Sequence, residues 1–100
     1  MLGRLVDQEV IQKRGVRPEV LWGDVRPLMM EADCRLINLE CVISSRGVEW
    51  HPATKAFHFR AQPRAIDFLR AAKVDGVTLA NNHVLDYGPE ALAECLDLLD

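Results

Sequence analysis

Two short apolar runs, each ending in polar residues, constrain this chain most. Cys34-Arg35-Leu36-Ile37-Asn38-Leu39 leads into Glu40, and the run from Val74 to Ala80 leads into Asn81-Asn82-His83. Runs of this length bounded by turn chemistry read as buried strands. The residues between and after them carry helical period. Pro63 suits the first turn of a helix whose inner face is Ala65, Phe68, Leu69 and Ala72. Gly88-Pro89 opens a last helix with Leu92, Cys95, Leu96 and Leu99 on one face. Strands separated by helices predict parallel βαβ units and an α/β fold class.

The remaining segments are shorter. Leu2, Leu5, Val6 and Val10 predict an amphipathic helix over residues 3 to 13, ending before Gly15. Asp24 is placed to cap a helix with Val25, Leu28, Met29 and Ala32 inward. Residues 44 to 54 carry turn chemistry and read as an exposed loop. Phe57 and Phe59 alternate with His58 and Arg60, which predicts an extended segment with the two Phe inward and His58 outward.

Composition excludes several function classes. One hundred residues make one domain or part of one, and 49% hydrophobic with 27% charged residues is ordinary for a globular chain. A formal charge of -3 offers no basic field, and six aromatic residues form no stacking platform, so nucleic-acid binding is not expected. No stretch approaches the ~18 apolar residues of a membrane span. The charged start Met-Leu-Gly-Arg-Leu-Val-Asp does not resemble a signal peptide. Cys34, Cys41 and Cys95 lack Cys-x-x-Cys spacing and are odd in number, which predicts reduced, mostly shielded thiols.

In parallel sheets, ligands collect beyond the carboxyl ends of the strands. Asn38-Leu39-Glu40 and Asn81-Asn82-His83 both fall there. An Asn carboxamide oxygen is a hard, neutral metal ligand, and an imidazole can move a proton or stabilise phosphoryl charge. A carboxylate such as Glu40 supplies anionic oxygen to a divalent cation. The bland alternatives are a strand-to-helix loop for the Asn-Asn-His stretch and a surface glutamate for Glu40. His51, His58, Trp22 and Trp50 read as surface or packing residues. Arg4 is placed for either a salt bridge or an anionic ligand.

The stretch Leu79-Ala80-Asn81-Asn82-His83-Val84-Leu85-Asp86-Tyr87-Gly88 resembles the signature of the CapA family, the poly-γ-glutamate capsule-synthesis branch of the calcineurin-like metallophosphoesterases. Met1-Leu2-Gly3-Arg4, Asn38-Leu39-Glu40 and Lys55-x-Phe57-x-Phe59-x-Ala61-x-Pro63 resemble further family segments in order, so the resemblance covers nearly the whole chain. It implies a metallophosphoesterase-like sandwich and a site for divalent metal ions. Glu40 and Asn82 would be metal ligands and His83 the catalytic histidine. Asp86 would orient His83 or the start of the last helix, and Asn81 stands where the wider superfamily has Gly. Poly-γ-glutamate or capsule-synthesis proteins are the implied partners, and the cell envelope the implied location. The family's Gly-Asp strand before the Met-Leu-Gly-Arg equivalent and its later histidine motifs have no counterpart in residues 1–100. The chain is therefore expected to be an incomplete domain, with weak metal binding and no activity by itself. A module that binds an anionic polymer without turnover is the alternative.

Overall fold

Two parallel strand pairs organise the chain, in a computed structural model that describes residues 1–100. A π-helical turn (Asp7–Ile11) and a 3₁₀ helix (Pro18–Trp22) precede α1 (Val25–Glu31) and β1 (Leu36–Asn38). Then follow β2 (Val42–Ile43), β3 (Arg60–Ala61), α2 (Ala65–Ala71), β4 (Gly76–Thr78) and α3 (Gly88–Leu99). β1 runs parallel to β4, with Ile37 opposite Val77, and β2 runs parallel to β3, with Ile43 opposite Ala61. The expected α/β class holds, as small parallel sheets with helices around them.

Both expected strands are present but shorter than the apolar runs, and Gly76 stands opposite Leu36 in the pair. A Cβ on Gly76 would meet Leu36 Cδ2 at 2.9 Å, so a larger residue there would make the exposed Leu36 side chain turn aside. Arg35 joins this pair to α1. Its backbone and guanidinium bind Asp75 at 2.8 and 3.2 Å, and the guanidinium also donates to the carbonyls of Met29, Met30 and Ala32 at the end of α1. The Met29 carbonyl also accepts the Ala32 N–H, and Arg35 satisfies the carbonyls beyond it, so Arg35 completes the C-terminus of α1 and starts β1.

The core gathers Ile11, Leu39, Val42, Ile43, Ala61, Phe68 and their neighbours between the strand pairs and the last two helices. The inner face expected of α2 is the observed one, with Ala65, Phe68, Leu69 and Ala72 all buried. Trp22 packs as expected and donates its indole N–H to the Phe68 carbonyl at 2.6 Å. On α3 the buried positions are Gly88, Ala91 and Cys95. Leu96, expected inward, is exposed, because it lies about 100° round the helix from Cys95.

Several expectations are corrected. The helix read over residues 3 to 13 is a shorter coil containing the π turn, and Leu5 faces solvent. Asp7 takes an inward position instead, accepting the Gln62 N–H at 2.8 Å and a bond from Gln12. α1 has no buried residue, and Val25 and Leu28 are exposed, because the helix packs on the 3₁₀ helix and not on a sheet. Asp24 precedes α1 in helical conformation and makes no capping bond. β1 is not fully buried, since a two-stranded pair leaves Leu36 at its margin 75% exposed.

In the stretch 57 to 60, Phe59 packs inward as expected, but Phe57 and His58 are reversed. His58 is buried, with Nε2 2.8 Å from the Trp50 carbonyl, and Phe57 lies outside under the Arg4 guanidinium at 5.2 Å. Loop 44 to 54 is exposed apart from its start. Ser44 is buried, and the Glu94 carboxylate accepts bonds from Ser44, Ser45 and Arg46. Cys34 is exposed, contrary to expectation, because it lies before the strand proper. Cys41 and Cys95 are buried, and burial pushes the Cys41 thiol up to about 11. No helix is long and apolar enough to cross a membrane.

Candidate functional site at the strand ends

Because β1 and β4 are parallel neighbours, the segments after Asn38 and Thr78 leave the sheet at the same end. Asn81 ties them together. Its Nδ2 donates to the Leu39 carbonyl at 3.0 Å and to Asn38 Oδ1 at 3.1 Å, while its Oδ1 accepts the His83 N–H at 3.0 Å. This last bond is an Asx-type turn, which the short carboxamide side chain makes with the backbone two residues on. One residue thus fixes where Glu40 leaves β1 and where His83 begins its turn.

His83 is buried and held on three sides. Its Nδ1 lies 2.6 Å from Asp86 Oδ2, its ring stacks at 4.0 Å and 33° on Phe59, and its Nε2 lies 4.0 Å from Glu40 Oε1. The Asp86 contact fixes the tautomer with the proton on Nδ1, which leaves the Nε2 lone pair facing Glu40. The Glu40 side chain is 42% exposed, so the Nε2 face of the imidazole opens towards solvent through that carboxylate.

Asp86 has no exposed side-chain surface. Burial alone pushes its carboxyl up. Hydrogen bonds from Lys55, from the Phe59 N–H at 2.7 Å and from His83 outweigh burial and hold it below the usual carboxylate range. Lys55 also donates to the Asn82 carbonyl, and the Trp50 N–H donates to the Asp86 carbonyl at 2.7 Å. Asn82 itself is exposed. All buried side-chain polar atoms have partners.

The structure therefore brings Glu40, Asn81, His83 and Asp86 into one cluster, with Asn82 beside it in the chain. Sequence reasoning missed Lys55 and Phe59, although both lie in the Lys55-x-Phe57-x-Phe59 stretch. Period-two alternation could not single them out, because it groups the exposed Phe57 with them. No three His, Cys, Asp or Glu side chains come together as a ready metal cage. Glu40 Oε1 and His83 Nε2, 4.0 Å apart, still suit a divalent cation as part of a shell, with one carboxylate and one imidazole nitrogen. Next to the cluster, and sharing Lys55 with it, lies an open cleft of about 650 Å³ with Arg4, Arg60 and Tyr87 on its wall.

Fold and cluster together define an α/β protein with a carboxylate-oriented imidazole at the carboxyl ends of parallel strands. The chain belongs to the family of bacterial capsule synthesis proteins described as PGA_cap, which matches residues 1–100. No curated protein matches it.

Proposed function

We propose that these residues form part of a metal-dependent phosphoesterase-type site in a protein of poly-γ-glutamate capsule synthesis or export, within a metallophosphoesterase-like sandwich. The observation that carries the reading is the approach of His83 Nε2 to Glu40 across neighbouring strand ends, with Asp86 holding Nδ1. An ordinary surface glutamate and a loop histidine have no reason to meet. Glu40 and Asn82 would hold a divalent cation. When bound, the cation would neutralise charge on a phosphoryl oxygen. His83, proton on Nδ1 and Nε2 open, is arranged to exchange a proton with an ester or leaving oxygen through Nε2. Asp86 keeps the ring oriented and stabilises the imidazolium that such exchange forms. With Glu40 as the one carboxylate ligand in the cluster, metal binding should be weak and turnover by these 100 residues alone undetectable.

Titrating the chain with Mn²⁺ and following backbone amide signals tests the assignment. Paramagnetic broadening should centre on residues 39–41 and 81–84 and disappear in Glu40→Gln. Broadening elsewhere, or unchanged in that variant, would remove the metal-site reading. Mn²⁺-dependent hydrolysis of a simple phosphodiester that is lost in Glu40→Gln would instead make these few ligands sufficient.

The cleft supports a second reading, in which the domain binds an anionic polymer or a capsule-synthesis partner without turnover. Arg4, Lys55 and Arg60 line it, opposed by Asp7 and Glu49. Salt-sensitive binding of a polycarboxylate, weakened in Arg4→Ala and indifferent to Glu40→Gln, would favour this reading over the first.

A further inference from the structure

We propose that Lys55 is a positioning residue for His83, acting through Asp86. This rests on the reading of His83 as the acting group, but its test does not require activity.

Asp86 is fully buried, and its two oxygens are used differently. Oδ2 receives the Phe59 N–H at 2.7 Å and faces His83 Nδ1 at 2.6 Å, while Oδ1 is held by Lys55. A carboxylate with donors on one oxygen only can turn about its Cβ–Cγ bond, or take up a proton and become a hydrogen-bond donor itself. Either change would release the imidazole from its single tautomer. The Lys55 ammonium prevents both by anchoring Oδ1 in charge-assisted contact. It also grips the Asn82 carbonyl, so one cation pins the segment before His83 and the carboxylate after it.

The geometry sets this pair apart from the surface ion pairs, and its fully buried carboxylate sets it apart from Arg35–Asp75, whose carboxylate is 49% exposed. Lys13–Glu9, Arg17–Glu19 and Arg70–Asp67 join exposed side chains at the surface. Lys55–Asp86 joins a 31% exposed ammonium to a carboxylate with no exposure, across 31 positions of sequence. Segment 55–59 thereby contributes three contacts to the dyad: the ammonium, the Phe59 N–H and the Phe59 ring over His83. A lysine serving only solubility would have no use for a buried partner or a backbone carbonyl.

The test is nitrogen-15 NMR of the His83 side chain in the 100-residue protein. The unsubstituted chain should show one tautomer, with the proton on Nδ1 and a strongly downfield, slowly exchanging Nδ1–H signal. Lys55→Met should lose that signal and show mixed ring nitrogens, while Lys55→Arg should restore it. Lys13→Met, which removes a surface pair, should leave it unchanged. An unaltered His83 signature in Lys55→Met would overturn the proposal and make Lys55 a packing cation. Backbone amide dispersion reports whether each variant folds. If Lys55→Met unfolds, Lys55→Gln is read in its place. Unfolding of both would assign Lys55 to general stability and overturn the positioning role as well. Absence of Mn²⁺ broadening at residues 39–41 and 81–84 alongside the expected signatures would count against the proposed function and leave the positioning role standing.

Discussion

Residues 58 to 95 and residues 17 to 36 are built from similar amino acids and behave in opposite ways. The first region supplies most of the buried positions and every buried side chain of the candidate site except its Glu40 neighbourhood. The second contains a 3₁₀ helix and α1, neither of which has a buried residue, and it leaves Val20, Val25, Leu28 and Leu36 exposed. The difference lies in what each helix rests upon. α3 has the core and β2 beneath it, and α2 sets its inner face into the core between the π turn and the 3₁₀ helix, whereas α1 rests on the 3₁₀ helix alone of these elements. Apolar residues become core when a surface is present to receive them, and helical period alone does not provide that surface.

The largest test of this contrast sets Phe68 against Leu28. Phe68 is fully buried, so Phe68→Ala should cost about 3–5 kcal/mol in urea unfolding. Leu28 is 67% exposed, and Leu28→Ala should change stability by no more than about 0.5 kcal/mol. Equal costs would mean that the N-terminal helices are packed after all.

Two glycines at the same backbone angle make the next comparison. Gly47 has φ 80° and Gly15 φ 84°. A Cβ on Gly47 would sit 2.1 Å from the Tyr87 carbonyl oxygen, while one on Gly15 would meet nothing within 4 Å. Gly15→Ala should therefore cost about 1 kcal/mol from conformation alone. Gly47→Ala adds a backbone clash and should lose a further ~1–3 kcal/mol. Thermal unfolding of the two variants should differ accordingly, and similar melting temperatures would show that loop 44 to 54 can move away from α3.

Acid should weaken the site region. The folded Asp86 carboxyl is held below its ordinary value, so its contribution is present above the unfolded value of about 3.9 and is lost as pH falls through the folded one. The folded chain should lose stability below about pH 4, and Asp86→Asn should flatten that part of the profile. The variant should also be less stable near neutral pH by about 2–3 kcal/mol, because it strands the Lys55 ammonium beside a partly buried site. The smallest effect belongs to Lys13–Glu9, both ends of which are more than half exposed. Lys13→Ala should change stability by about 0.5 kcal/mol or less, read by the same denaturation.

The sequence made some elements legible and hid others for identifiable reasons. The α2 stripe was readable because Ala65, Phe68, Leu69 and Ala72 all meet the core at helical spacing. The strand ends were readable because polar residues there interrupt apolar runs, and family membership agrees with the resemblance drawn from them. The burial of His58 was not readable, since it depends on the Trp50 carbonyl, which only the folded loop delivers. Lys55 was hidden for the same reason: its partner lies 31 positions away. Cys34 misled because an apolar run extends beyond the residues that actually pair.

The β1–β4 pairing has a consequence for the order of folding. Arg35 meets Asp75 across 40 positions, and everything from β2 to α2 must be threaded between them. Closing so long a segment costs chain entropy before any contact repays it, and such topologies fold slowly. On a ribosome, β1 emerges well before β4, so Glu40 waits without its histidine until the last third of the chain is made. During that interval the strand margin carrying Leu36 has no partner, which makes it the stretch a chaperone would be expected to shield.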